Sequence, residues 1–535
     1  MAVTLDDIAP EADTVYLVEL HPRHPDGSAA PPVYLATRDL ILPHDDGHAP
    51  SRDYLGGVTE ALARDIDLFG ASDDPDGGDT VTLGGPSVPR AAATVFAADA
   101  DVRRDELPFW RGHAWDGAAI TVRRGPVNGH LKDFETVHEG RLSGDITESG
   151  ATVEWAHLGL DGALDTPLNP ETYQAADGDS LDGRNKPIAA GRFHAFQPVA
   201  TDSANGWYDI SPGTGLAEVT RVEDGGFAIA ASPQSPPPDG YYHADLAGGR
   251  IQFTGNPQFG LRVSGVSAYA SGATAAGDIL AQVFADAGVA ADGDALAALA
   301  AERPWPVGTA TRDALTARDL ADRLVNSVGG WFAAAPGATP AGIGLTAGAL
   351  AAPDAADPDD ADLYLHQSDL ERGGLTRRRL GAPPHSLRIG WGATLDTHGD
   401  SDLAAAAPQH RRDTLTRSWR YVTHSNTAAQ TRRRLATTAT RETLLAERAD
   451  AEALAAVLGP LLTAEHEVVE VSIPARPFRL PLHARVWLDA PDFGIGAAYR
   501  LLGLRESQAD TLVRLKLWRP LPPEGPPEGP PEGTP

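Results

Sequence analysis

Leu261-Arg262-Val263-Ser264-Gly265-Val266, and shortly after it Thr274-Ala275-Ala276-Gly277-Asp278-Ile279-Leu280-Ala281-Gln282-Val283-Phe284, mark the place where the chain changes its period. The first stretch is rich in β-branched residues and reads as a strand. In the second, Ile279, Leu280, Val283 and Phe284 fall on one side of a helix. Thr274 is the expected N-cap of that helix and Gly288 its expected stop. The segments on either side of this switch decide the fold class.

Upstream, the chain reads as β. Val15-Tyr16-Leu17-Val18-Glu19-Leu20 and Val33-Tyr34-Leu35-Ala36-Thr37 are short strands joined by a Pro/Gly/Asp loop, as in a hairpin or meander. Ala118 to Gly125 is a further strand, led in by a turn at Asp116-Gly117. Ala151 to Leu158 alternates as a half-buried strand does, and Ala217 to Val222 and Arg250 to Phe253 continue the series. Strands spaced by turn signals in this way suggest small barrels or sandwiches. Downstream, a second helix is expected near Thr316, with Leu320, Leu324 and Val325 on one face and Gly329-Gly330 as its end; Trp331-Phe332 then opens a strand. Past Gly381-Ala382-Pro383-Pro384 come a strand at Ser386 to Trp391 and helical periodicity from about Thr427 to Leu462, broken once and ending near Gly459-Pro460. A closing β set occupies Glu467 to Ile473, Arg485 to Leu488, Tyr499 to Leu504 and Leu512 to Trp518. The expected fold is therefore α+β and β-rich, multidomain, with an inserted α+β region. Its organisation reads as an N-terminal β-rich segment (1–100), a β domain (101–180), a β-rich domain (181–271), an α+β domain (272–380), a C-terminal β domain with a helical insertion (381–519) and a Pro/Glu/Gly-rich tail (520–535). In that tail Pro-Pro-Glu-Gly is written three times, a composition that favours extended polyproline II and cannot build a core.

Composition excludes several functions. With 74 acidic and 44 basic side chains in 535 residues the net charge is −30, which repels nucleic-acid phosphate and anionic lipid. Of the basic residues only Lys132, Lys186 and Lys516 are lysines. Zero cysteine removes disulfides, thiolate zinc sites, iron–sulfur clusters and thiol catalysis together. No run of about 18 apolar residues occurs, so no membrane-spanning helix is expected. The acidic start Met1-Ala2-Val3-Thr4-Leu5-Asp6-Asp7 is unlike a secretory signal.

The motifs of chemistry are largely missing. None of the lysines follows a glycine, so the phosphate-cradling Gly-Lys-Ser/Thr step is absent. His138-Glu139 and His466-Glu467 each lack the second histidine of a zincin helix. No Gly-x-Ser-x-Gly elbow occurs. Gly342-Ile343-Gly344-Leu345-Thr346-Ala347 fits the loose dinucleotide pattern but comes after a Pro/Ala loop instead of a strand. His44-Asp45-Asp46-Gly47-His48 and Asp73-Asp74-Pro75-Asp76-Gly77-Gly78-Asp79 hold metal-ligand residue types, yet in so acidic a chain both read as solvated loops. Trp110, Trp115 and Trp155 are expected in β cores, and Arg432-Arg433-Arg434 on a solvated helix face or at an inter-subunit ion pair. No catalytic, cofactor-binding or metal-ligating residue is assigned, and the chain reads as a non-enzyme. A glycoside-hydrolase carboxylate pair has no positional signature among so many acids.

The order of segments carries more than any one motif. Trp115-Asp116-Gly117 precedes the turn Val122-Arg123-Arg124-Gly125. Leu164-Asp165-Thr166-Pro167-Leu168 and Tyr173 come next, then Gly183-Arg184-Asn185-Lys186-Pro187-Ile188-Ala189-Ala190-Gly191-Arg192, Val222-Glu223-Asp224-Gly225-Gly226 and Gly249-Arg250-Ile251. Thr316 to Leu320, Ser327 to Trp331 and the closing Leu515-Lys516-Leu517-Trp518 complete the series. In this order, over about residues 30 to 519, the chain resembles the tail-tip (baseplate) hub proteins of long-tailed bacteriophages. It departs from them after Asp209, where the family has a clearer Tyr-x-x-x-Asp-Gly run. The resemblance implies a structural virion protein at the tail tip, made in the host cytoplasm. It implies a homotrimeric hub of tube-like β-barrel domains and inserted α+β domains, at the distal end of the tail tube. Its implied partners are its own copies, the distal tail or tail-tube protein, the tape-measure protein and the tail-tip fibre protein. Sequence-specific nucleic-acid binding and stable membrane insertion are not implied. The alternatives are another tail-tip component, such as a distal ring or receptor-contacting fibre base, and a virion-borne polysaccharide hydrolase.

Overall fold

The computed structural model describes residues 14–42, 112–144, 157–175, 180–255, 257–339, 342–379, 383–405, 407–433, 435–474, 480–507 and 512–521, with shorter pieces between 52 and 67, 91 and 97, and 147 and 155. The two acidic loops at 44–48 and 73–79, Trp110 and the tail from 522 lie outside the described residues.

The chain is β-rich and α+β, as its patterning predicts. Its first sheet has five strands in the order His157–Leu158, Glu135–Leu142, Ala114–Pro126, Thr14–Arg23, Val33–Ala36. In Thr14–Arg23 the residues from Val15 to Leu20 are all buried. Because a strand alternates its side chains, this run serves two cores. Tyr16, Val18 and Leu20 join Trp115, Ile120 and Val137, whereas Val15 and Leu17 join Leu42, Tyr54 and Phe134. Trp115 takes the core role expected of it, with 1% of its surface exposed. Asp116-Gly117 is not a turn before the strand. The strand already starts at Ala114, and Gly117, at φ +73°, lies in a bulge opposite the register shift between His21 and Arg23.

The second sheet has nine strands, running from Val199–Asp202 at one edge through Tyr241–Asp245, Phe227–Ala231, Leu216–Asp224, Leu261–Ser267 and Ile188–Phe196 to Gly308–Thr311. The period switch is real: Leu261–Ser267 is a strand, and α1 (Ala276–Asp286) buries Ile279, Leu280, Val283 and Phe284. Thr274 is not its cap. The N-cap is Ala275, which offers no side-chain acceptor, and the Thr274 carbonyl instead accepts from Val307 N–H at 2.9 Å. A helix that the patterning did not predict, α2 (Gly293–Glu302), comes next; its cap Asp292 accepts from Ala295 N–H at 3.0 Å. α3 (Ala317–Val328) starts and stops where expected, capped by Thr316 and closed by Gly329 at φ +65°. The hairpin of Gly330–Thr339 with Gly342–Ala349 comes after it, so the dinucleotide-like pattern at Gly342 lies in a β strand.

The C-terminal part is an eight-stranded sheet. Leu363–His366, Arg485–Ala490, Ile495–Ser507, Val513–Pro520, His466–Ile473 and Leu375–Arg379 form its path; Ala63–Asp67 pairs with the far half of Ile495–Ser507 and with Ala91–Ala92. Inserted in it are α4 (Gln409–Leu415) and a small sheet of Arg420–Ser425, Ser386–Trp391 and Thr438–Glu442. The structure corrects the helical stretch expected from Thr427 to Leu462. Only α5 (Thr427–Arg432) and α6 (Arg448–Leu462) are helical, and Thr438–Glu442 is a strand parallel to Ser386–Trp391. The reason is local: Thr437, Thr438 and Thr440 are β-branched and suit a sheet better than a helix. Arg432 is the last residue of α5, and Arg433 comes directly after it.

Candidate functional site

The longest of the motifs that carry the resemblance, Gly183 to Arg192, leads into and forms the start of Ile188–Phe196, which pairs with Leu261–Ser267 on one side and Gly308–Thr311 on the other. Its residues are committed to packing. Gly191 has φ +66°, and a Cβ there would lie 2.2 Å from the Val307 carbonyl. Ile188, Ala189 and Ala190 are buried. Asn185 donates to the Asn169 carbonyl at 2.9 Å, and Lys186 Nζ bonds Glu171 at 3.0 Å. Asn169 in turn accepts from Leu315 N–H at 2.9 Å, just ahead of α3. The motif therefore ties the nine-stranded sheet to the helical layer.

Two buried carboxylates form the strongest charged clusters. Glu223, in the Val222–Gly226 motif, accepts from Arg221 Nε at 2.6 Å and from Arg411 of α4 at 2.9 Å. Burial pushes its carboxyl up, but the two guanidiniums outweigh that and hold it below the ordinary glutamate value. Beside it, Ser264 Oγ lies 3.0 Å from His194 Nδ1. Burial and the nearby Arg411 and Arg420 push His194 down to about 4, and its Nε2 is buried without a hydrogen-bond partner. Asp396 completes this junction, accepting from Gln197 N–H at 2.7 Å and Arg312 at 2.5 Å.

The second cluster surrounds Glu467, which is 0% exposed. Tyr499 OH donates to it at 2.5 Å, Arg377 Nε at 2.8 Å and Arg519 Nε at 3.1 Å. Desolvation raises this carboxyl, and the hydrogen bonds of Tyr499 and Arg377 with the charge of Arg519 lower it further than that. Its neighbour His466 is pushed down to about 4 by burial and accepts from Trp518 Nε1 at 2.7 Å through Nδ1. The His466-Glu467 step is thus a cross-strand lock, with both side chains buried in one sheet. His138 and Glu139 lie on the strand Glu135–Leu142 of the first sheet, far in sequence and in a different sheet. Among the described residues, no three His, Asp or Glu side chains are grouped as a metal site would need.

Two open clefts stand out among the described residues. One, of about 770 Å³, is lined by Trp391, Trp419, Tyr421, Arg417, Arg420 and Glu442 of the inserted sheet and its approach. Its rings are already engaged: Arg420 lies 4.7 Å over Trp391, and Arg388 4.2 Å over Tyr421. The other, of about 700 Å³, lies between α5, the end of α6 and the edge of the eight-stranded sheet. It holds Arg432 and Arg433, for which the sequence predicts a solvated face or an inter-subunit ion pair; in the structure both approach Glu465 of the same chain, at 3.8 and 3.0 Å. No sequence signal brings Arg377 and Arg379, of one strand, to the same cleft as Arg519, which comes from a strand well over a hundred residues further on.

No family model matches the sequence, and no curated protein matches it. Among solved structures, a tail protein from Neisseria meningitidis MC58 is similar over 94% of this chain and 96% of its own, at 10% identity and a TM-score of 0.37. The 43 kDa tail protein of prophage MuSo2 from Shewanella oneidensis is similar over 90% and 99%, at 10% identity and a TM-score of 0.37. Prophage tail protein gp18 from Listeria monocytogenes EGD-e is similar over 95% and 94%, at 5% identity and a TM-score of 0.34.

Proposed function

We propose that this chain is a structural, non-enzymatic protein of a phage tail tip. In this reading it is the homotrimeric hub at the distal end of the tail tube, joining the tube to the tip fibre and taking part in genome delivery. The ordered motifs of the sequence motivate the reading, and their use in packing fits it: the residues that carry the resemblance hold sheets together. The observation that carries self-assembly is the strand Phe227–Ala231. All five of its residues are apolar, and Phe227 is 46% exposed; on the neighbouring strand Tyr241, in register with Ala230, is 44% exposed. A chain of net charge −30 keeps such a strand at its surface at the risk of association, and a partner copy would cover it.

Copies meeting through this strand would form a ring that receives the tube protein and the tape-measure protein on one side and the fibre on the other. The test is assembly state. The purified chain is expected at three times 56.1 kDa in sedimentation, and Phe227→Asp with Tyr241→Asp is expected to give a folded monomer. A trimer unaffected by both changes would discard this strand as the interface. Six copies or one copy per tail by electron microscopy would discard the hub.

A further inference from the structure

We propose that the arginine-lined cleft beside α5 is a docking site for an acidic, proline-rich segment, and that its occupant is this chain's own residues 522–533. Among the described residues, Arg377, Arg379, Arg432, Arg433 and Arg519 line it against a single lining carboxylate, Glu465. This concentration of positive charge stands in a molecule whose net charge is −30. The arginines are oriented by partners yet keep a face to the cleft. Arg433 bonds Glu465 at 3.0 Å with 47% of its side chain exposed, and Arg377 bonds the buried Glu467 with 34% exposed. Pro383, Pro460, Ala428 and Ala464 supply apolar wall between the guanidiniums.

The position of Leu521 points to the occupant. Val513–Pro520 runs up to the cleft, and Leu521, whose N–H bonds the Glu465 carbonyl at 2.7 Å, lines it. The chain therefore leaves the described residues inside the cleft. Past Leu521 the sequence continues with Pro522-Pro523-Glu524-Gly525 and its two repeats, which place Glu524, Glu528 and Glu532 at a constant spacing. In polyproline II, at roughly 3.1 Å per residue, that spacing is about 12 Å. Glu524, three residues past Leu521, falls within about 10 Å of it even fully extended. Guanidinium forks match carboxylates, and prolines lose little entropy on docking. Tethering also raises the local concentration to roughly millimolar, so individually weak ion pairs suffice.

The absence of cysteine makes the test clean. Gly529→Cys in the full chain gives one thiol for a nitroxide label, read by electron paramagnetic resonance at low ionic strength. Docking predicts an immobilised spectrum that becomes mobile in 1 M salt and in the variant Glu524→Gln, Glu528→Gln, Glu532→Gln, which changes none of the residues that line the cleft. The reciprocal variant Arg432→Glu, Arg433→Glu is expected to free the label too. Changing the three tail glutamates to arginine in that background is expected to immobilise it again, which a merely unfolded cleft would not do. A label equally mobile with glutamate and glutamine tails overturns the proposal. So does immobilisation that appears only as protein concentration rises, which would assign the tail to another copy's cleft.

Discussion

Glu467 shows how a single buried charge is made stable. Its three donors come from three strands, Leu375–Arg379, Ile495–Ser507 and Val513–Pro520, so the carboxylate fastens the eight-stranded sheet across its width. Removing it strands two guanidiniums and a phenol. Because both arginines are partly exposed, Glu467→Ala is expected to cost about 2–4 kcal/mol in urea unfolding, toward the low end of the range for a broken buried pair. The pH dependence has a definite sign. His466 is held near 4 when folded against 6.5 ordinarily, and His194 likewise, both mainly by burial. Between those values the unfolded chain binds protons that the folded chain does not, so stability falls as pH drops from about 6.5 to about 4. Glu467, held below its ordinary 4.5, adds a further loss only as pH falls below that value. Urea midpoints measured from pH 7 to pH 4.5 are expected to decline, and His466→Gln is expected to flatten part of the slope. Trp518 keeps an acceptor in that variant, so a slope unchanged by it would remove His466 from the account.

At the scale of elements, glycine decides two joints. Gly329 ends α3 in the left-handed region, and a Cβ there would sit 2.9 Å from Leu458 of α6. Gly191 lies inside a strand, also at positive φ, with a backbone carbonyl 2.2 Å from where a Cβ would stand. A leucine methyl can move and a carbonyl in a ladder cannot. Gly191→Ala is therefore expected to lower the melting temperature more than Gly329→Ala, both exceeding the roughly 1 kcal/mol of conformational strain alone. The side-chain cap at Thr316 was legible as chemistry, whereas the one at Asp292, ahead of the alanine-rich α2, was not read. The start of α1 was not legible, because Ala275 caps it with no side-chain acceptor and the preceding carbonyl belongs to a tertiary contact. The strand Thr438–Glu442 reads as helix for a related reason: leucines on both sides impose a helical period on a threonine-rich segment that a neighbouring strand then recruits.

Over the whole molecule, sheets gather strands from distant parts of the chain. Ala63–Asp67 pairs with Ile495–Ser507, and Leu363–His366 with Arg485–Ala490. Such long-range pairing carries a large loop-closure entropy and slow folding. The net charge of −30 adds self-repulsion that counterions screen. Thermal unfolding is therefore expected to shift upward between 0.05 and about 1 M salt, despite weakening of surface ion pairs such as Arg448–Glu452. A downward shift would mean that the ion pairs outweigh the repulsion.

By itself the sequence determined the class of fold, the switch from strand to helix near residue 274, the helix from Thr316 to Gly329 and the absence of every cysteine-based chemistry. These depend on period, caps and composition, which act over a few residues or none. Only the tertiary structure decided where the charged side chains meet. Glu467 finds Arg377 and Arg519, Glu223 finds Arg411, and five arginines from three elements converge beside Leu521. Spacing along the chain carries no record of such encounters, because strand pairing over hundreds of residues sets them and each arginine alone reads as a solvated surface charge.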